Sequence, residues 1–84
     1  MNNRILINVL LPATQKTYDF WVPGDATVHD ATRFISGILS QRESSLFQGG
    51  DEDALALRDS GEILDHNLSF EEHGIRNGFE LMLI

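Results

Sequence analysis

Two apolar runs near the start of the chain predict a pair of strands. Ile5–Leu11 is rich in aliphatic residues, and Lys16–Val22 alternates between apolar and polar positions. A short turn over residues 12–15 separates the runs, so we expect an antiparallel hairpin. In the second strand the side chains expected to face inward are Tyr18, Phe20 and Val22.

The next segment repeats apolar residues at helical spacing. Thr27, followed by Asp30, resembles a capping box and predicts a helix from about Val28 to Gln41. The buried stripe of this helix is expected to contain Val28, Ala31, Ile35, Ile38 and Leu39, with Phe34 at its margin. Gly37 costs roughly 1 kcal/mol relative to alanine inside a helix, and we interpret it as a position of close packing on the sheet.

The segment after the helix is expected to be the least ordered part of the chain. Leu46 and Phe47 are expected to anchor it to the core, while Gly49–Asp53 is predicted to be a mobile acidic loop. Ala54–Arg58 then predicts a short strand, and Glu62–Leu64 is a candidate for a further, very short one.

The last part of the chain predicts a buried turn and a closing strand. Leu68 and Phe70 are expected to be buried, and an Asn77-Gly78 turn leads into a strand over Phe79–Ile84. The residues of this strand expected to share one face are Phe79, Leu81 and Leu83.

The predicted element order is ββαββ, which indicates an α+β fold. One helix packed across one face of a mixed sheet of four to five strands is the economical way to bury a single apolar stripe. The first and last strands are then expected to pair in parallel in the middle of the sheet, which is the β-grasp arrangement. We predict one domain over residues 1–84.

Composition restricts the classes of function. The 84 residues carry a net charge of −7, and the six Lys and Arg residues are scattered singly, so a nucleic-acid partner is disfavoured. The absence of cysteine excludes disulfides and thiol catalysis. Neither a secretory signal nor a membrane-spanning run is visible, so we expect a cytoplasmic protein without membrane insertion.

The polar residues do not form a recognisable catalytic or metal-binding pattern. His29-Asp30 is interpreted as part of the helix start, and His66 and His73 do not match a known ligand spacing. The acidic residues 51–53 lack the EF-hand pattern, and Gly49-Gly50 lacks the Lys-Ser/Thr of a phosphate loop. We therefore expect a protein that is not an enzyme and that has no cofactor and no metal.

Protein binding is the better-supported class of function. A sheet covered by one helix leaves its other face open, and the apolar residues expected there are Leu6, Leu10, Trp21 and Met82. A tryptophan among aliphatic residues has the composition of a binding hot spot. The alternative is that Trp21 only covers the sheet edge or packs under a loop. We expect a monomer or a weak homodimer, because open sheet edges can pair.

Several of these segments resemble ubiquitin-like proteins, and more closely the bacterial YukD/EsaB family. The resemblance rests on Val22-Pro23 after the second strand, on the Thr27-capped helix and on the turn at Ser60–Leu64. It also rests on a tail of the form Leu…Gly-Ile-x-x-Gly-x-x-Leu-x-Leu, which here consists of Leu68, Gly74, Ile75, Gly78, Leu81 and Leu83. The acidic loop Gly49–Asp53 departs from the family pattern.

The resemblance implies an accessory protein of a type VII (WXG100/ESX) secretion system, peripheral to its membrane complex. In related systems the same module is fused to the membrane subunit EccD, so an excised EccD-type module is one alternative. A sulfur-carrier or conjugation protein is another. That chemistry needs a C-terminal Gly-Gly, and the sequence ends at Ile84 without one, so we expect non-covalent binding.

Overall fold

A computed structural model describes residues 3–84. These residues fold into a four-stranded mixed sheet with one helix on one face. Its elements are β1 (Arg4–Leu11), β2 (Lys16–Pro23), α1 (Val28–Arg42), β3 (Leu55–Leu57) and β4 (Phe79–Leu83). The strand order is β2-β1-β4-β3, with β1 antiparallel to β2 and parallel to β4, and β3 antiparallel to β4. The predicted α+β β-grasp arrangement is confirmed.

The core lies between α1 and the inward face of the sheet. Alternation along the strands buries every second residue, as predicted for Val22 on β2 and for Leu81 and Leu83 on β4. Tyr18 and Phe20 also face inward but are only half-buried, because β2 is the edge strand. The largest fully buried side chains include Phe70, Ile7, Leu11, Ile35, Leu39 and Leu55.

Helix α1 begins as predicted, and four residues of the predicted stripe are buried: Val28, Ala31, Ile35 and Leu39. The Thr27 hydroxyl accepts a hydrogen bond from Asp30 N at 3.1 Å and so caps the helix. Ile38 is only half-buried, however, and Phe34 is 60% exposed, so neither belongs to the buried stripe. Their place is taken by Thr32 and Ser36. These polar residues can be buried because their hydroxyls are paired: Thr32 Oγ1 donates to Val28 O at 2.7 Å, and Ser36 Oγ donates to Asp53.

Close packing occurs at Gly24, where a Cβ would lie 2.9 Å from Asn3 O, and at Gly49, whereas the prediction for Gly37 is wrong. Gly37 is exposed, and none of the described residues approaches within 4 Å of the position a Cβ would occupy there. A Cβ on Gly49 would instead overlap Ser36 Oγ and lie 2.7 Å from Ser40 Oγ. The reason is that Gly37 lies on the solvent side of α1, whereas the loop after the helix folds back against its polar flank.

The acidic loop is joined to the helix by hydrogen bonds, which its composition did not predict. Arg33 Nη1 donates to Asp51 Oδ1 at 2.6 Å, and Gly49 N donates to Ser40 Oγ at 2.6 Å. Gly50 N and Ser36 Oγ both donate to Asp53 Oδ2. Three side chains on successive turns of α1 therefore hold the loop, because polar loop residues meet the polar flank of the helix.

Three shorter segments also differ from expectation. Leu46 is 60% exposed, and only Phe47 anchors the segment after the helix by packing against the core. Glu62–Leu64 does not form a strand and makes a single antiparallel bridge, Ala56↔Ile63. The sheet therefore has four strands, the lower end of the predicted range. Ile84 lies beyond β4, although its N and O atoms both pair with Ala54.

A second capping box stabilises the turn before β4. Glu72 N donates to Ser69 Oγ at 3.0 Å, and Ser69 N donates to Glu72 Oε1 at 2.8 Å. Phe70, between them, is fully buried, as predicted, whereas Leu68 is half-buried. The Ser-x-x-Glu spacing in the sequence indicates such a turn, but the capping box was not among the predicted features. The turn fixes the start of β4 relative to α1.

Candidate functional site

We call the face of the sheet opposite α1 the open face. Its side chains form rows that run across neighbouring strands. The pairing register places Trp21 opposite Leu6, and Leu10 opposite both Thr17 and Met82. The four residues predicted to bind a partner therefore share this face. Trp21 is 55% exposed, and the other three are half-buried.

These four residues form two separate pairs. Leu6 with Trp21 makes what we call the Trp21 end, and Leu10 with Met82 makes the Met82 end. Leu6 and Leu10 are four residues apart on β1, which corresponds to about 14 Å along a strand. The open face thus offers two apolar contacts and not one continuous patch.

A row of polar residues separates the two apolar ends. Asn8 on β1 lies opposite both Asp19 on β2 and Glu80 on β4, and Arg58 follows β3 at the same level, where its N donates to Glu80 O at 3.1 Å. We call the row Asp19–Asn8–Glu80–Arg58 the polar row. It crosses β2, β1 and β4 and ends at the residue that follows β3.

The polar row is held together by its own hydrogen bonds. Asn8 Nδ2 donates to Asp19 Oδ1 at 2.8 Å, and Asn8 Oδ1 accepts from Arg58 Nη2 at 2.6 Å. The Arg58 guanidinium also donates to the carbonyl oxygens of Asn8 and Leu81, both at 3.0 Å from Nη2, and lies 3.6 Å from Glu80 Oε2. Because every member is bonded to a neighbour, the row is expected to keep its shape when a partner approaches.

Arg58 is the site residue that sequence reasoning missed. Its side chain is 23% exposed and lies across the backbone of β4 and β1. One signal was available in the sequence: Asn8 interrupts the otherwise apolar outward series of β1, and a buried or half-buried amide needs partners. The sequence did not indicate that Arg58 is a partner of the Asn8 amide, because Arg58 is 50 positions from Asn8.

The Trp21 end is fixed by contacts on both sides. The Arg4 guanidinium carbon lies 5.8 Å from the centre of the Trp21 ring, a cation–π contact. Leu6 N donates to Asn77 Oδ1, and Gly78 N donates to Leu6 O, both at 2.8 Å. Trp21 is 55% exposed on the edge strand β2.

The histidines are used in structural contacts. The rings of His29 and His66 are 5.8 Å apart, and His29 N donates to His66 O at 2.9 Å, which ties the start of α1 to the 65–66 turn. His73 Nε2 lies 2.9 Å from Asp65 O. Within residues 3–84, no three His, Asp or Glu side chains converge in the manner of a metal site. None of the helices in this range is long and apolar enough to span a membrane.

Comparison with known proteins identifies the fold. No protein-family model and no curated protein matches the chain. Among solved structures, 98% of the chain superimposes on 21% of a chain of the MycP5-free ESX-5 inner membrane complex in state II, with a TM-score of 0.78 and 19% identity. The chain thus spans about a fifth of that protein chain.

Two smaller proteins match over most of their own length. The EccD5 ubiquitin-like domain from Mycobacterium xenopi matches with a TM-score of 0.71 and 18% identity, over 96% of this chain and 92% of that one. Caldiarchaeum subterraneum ubiquitin matches with a TM-score of 0.71 and 17% identity, over 96% and 91% of the two chains. At these identities the likeness establishes the fold, and the chain has the ubiquitin-like β-grasp fold.

Proposed function

We propose that this chain, as one ubiquitin-like domain over residues 1–84, binds a component of a type VII secretion machine non-covalently through its open face. The observation that carries the proposal is the superposition of almost the whole chain on part of an ESX-5 inner membrane complex. The likeness to an EccD5 ubiquitin-like domain supports the same assignment. The YukD/EsaB pattern in the sequence adds to it.

The open face is the surface that we assign to this binding. It presents Trp21, which is 55% exposed, between Leu6 and the Arg4 guanidinium. Tryptophan and arginine are enriched at binding hot spots because they combine a large apolar area with polar contacts. The proposed role is an accessory or regulatory one in the cytoplasm, by binding and not by catalysis. It holds equally for a free-standing protein and for a module of an EccD-type subunit.

A covalent role is the second candidate, because an archaeal ubiquitin also shares the fold over 91% of its length. A sulfur carrier or conjugated modifier would form a bond through its C-terminal carboxylate, and its mass would change when it acts. Binding through a sheet face leaves the mass unchanged. Intact-mass measurement therefore separates the two candidates.

The proposal is tested by capture of solubilised type VII secretion complexes on the tagged chain. We expect Trp21→Ala to reduce capture at least 10-fold, as for the removal of a hot-spot residue. Phe34→Ala is the matched control, because it removes an equally exposed aromatic ring from the helix side. Equal capture by both variants and the wild type would remove Trp21 from the binding face. Failure of the wild type to capture any secretion component, or recovery of a covalent adduct, would contradict the proposal itself.

A further inference from the structure

The rows of the open face repeat at nearly the spacing of a helical turn. Leu6, Asn8 and Leu10 mark three successive rows, and alternate residues of a strand are about 6.8 Å apart. On an α-helix, residues i and i+4 are about 6 Å apart along the axis. Residues i, i+4 and i+8 of a helix can therefore contact the Trp21 end, the polar row and the Met82 end in turn.

A helix suits this face better than an added strand. β1 and β4 lie inside the sheet, so their backbone groups are already paired with neighbouring strands. A segment lying on the face can use only side chains, and it must satisfy its own backbone, which a helix does. α1 covers the opposite face of the same sheet in this manner.

The charge presented by the polar row is negative. The row carries two carboxylates and one guanidinium, since Arg58 Nη1 lies 3.6 Å from Glu80 Oε2. Asp19 is exposed and the Glu80 side chain is 67% exposed, whereas the Arg58 side chain is 23% exposed and also donates to Asn8 and Leu81. Arg4 on β1 lies opposite Pro23, beyond the Leu6–Trp21 pair, and its guanidinium contacts the Trp21 ring. An approaching side chain therefore meets carboxylates at the level of the polar row.

We propose that the open face binds an amphipathic helix with apolar residues at i and i+8 and a lysine or arginine at i+4. The apolar residues contact the Trp21 and Met82 ends, and the basic residue lies between the Asp19 and Glu80 carboxylates. This inference deepens the proposed function and depends on its placement of binding on the open face. It does not depend on which secretion component supplies the helix.

The test uses two designed helical peptides that have leucine at i and i+8 and differ only at i+4, where one has lysine and the other glutamate. Affinity and backbone amide shifts are measured by NMR with the isotope-labelled full chain. We expect the lysine peptide to bind at least 5-fold more tightly and to shift the amides of Leu6, Asn8 and Leu10 and the Trp21 indole. The double variant Asp19→Lys, Glu80→Lys is expected to prefer the glutamate peptide.

The control variant Asp30→Lys, Glu52→Lys makes the same change in net charge on the helix side, where both residues are exposed. It is expected to keep the wild-type preference. If the double reversal on the open face does not fold, the neutral variant Asp19→Asn, Glu80→Gln replaces it and is expected to lose the preference.

Three results would overturn the inference. They are equal affinity of the wild type for both peptides, a reversed preference in the helix-side control, and no open-face shift with either peptide at about 1 mM. Failure of the secretion-complex capture together with the expected peptide preference would instead refute only the proposed function.

Discussion

The same substitution at two glycines is expected to have opposite effects on stability. Gly37→Ala should raise the free energy of unfolding by about 1 kcal/mol, because alanine favours the helix and the added methyl group points into open space. Gly49→Ala should lower it by about 1–3 kcal/mol, because the methyl group overlaps Ser36 Oγ in a tightly packed contact. Both substitutions reduce the conformational entropy of the unfolded chain by a similar amount. The difference in stability between the two variants therefore reports on the folded state.

Urea denaturation followed by circular dichroism measures both changes. The midpoint should rise for Gly37→Ala and fall for Gly49→Ala, with the same slope m as the wild type. In thermal unfolding, ~1 kcal/mol in a domain of this size corresponds to a shift of about 4–8 °C. A destabilised Gly37→Ala variant would show that this glycine packs against another part of the molecule. An unaffected Gly49→Ala variant would show that the acidic loop is not held against the helix.

Three further substitutions test the packing and the caps. Thr27→Ala should cost about 0.5–2 kcal/mol in chemical denaturation, since it removes the cap of α1, and the loss should be recovered largely by Thr27→Ser. Phe70→Ala should cost about 3–5 kcal/mol because the ring is fully buried, whereas Phe34→Ala should change stability by less than about 0.5 kcal/mol; similar losses for both would contradict the assigned burial. Ser36→Ala should cost about 1–3 kcal/mol and increase amide hydrogen exchange at Gly50, because Asp53 loses its buried hydroxyl donor; unchanged exchange would refute that role.

The start and the end of helix α1 could be predicted from the local sequence. Its start follows from Thr27 and Asp30, three residues apart, and this capping interaction is present at 3.1 Å. Its predicted end at Gln41 is one residue short of the observed end at Arg42. Both features depend on residues close together in the chain. A local pattern therefore predicts them well.

The buried flank of the helix could be predicted only in part. Helical spacing correctly predicted that Val28, Ala31, Ile35 and Leu39 are buried. It also placed Ile38 in the stripe and Phe34 at its margin, whereas the packing buries Thr32 and Ser36. The choice depends on where the loop carrying Asp53 returns to the helix. Hydrogen bonds from that loop compensate for burying hydroxyl groups, and no helical periodicity encodes them.

The sequence by itself determined the order of the elements, the alternation along the strands and the common face of Leu6, Leu10, Trp21 and Met82. These follow from the period-two geometry of a strand and from turn residues, which act between near neighbours. Only the tertiary structure decided which residue completes the polar row between the two apolar ends. Pairing in the sheet brings Arg58, from a distant segment, across β4 onto Asn8. Register between distant strands depends on the packing of the whole core, so the partner of Asn8 appears only once the chain has folded.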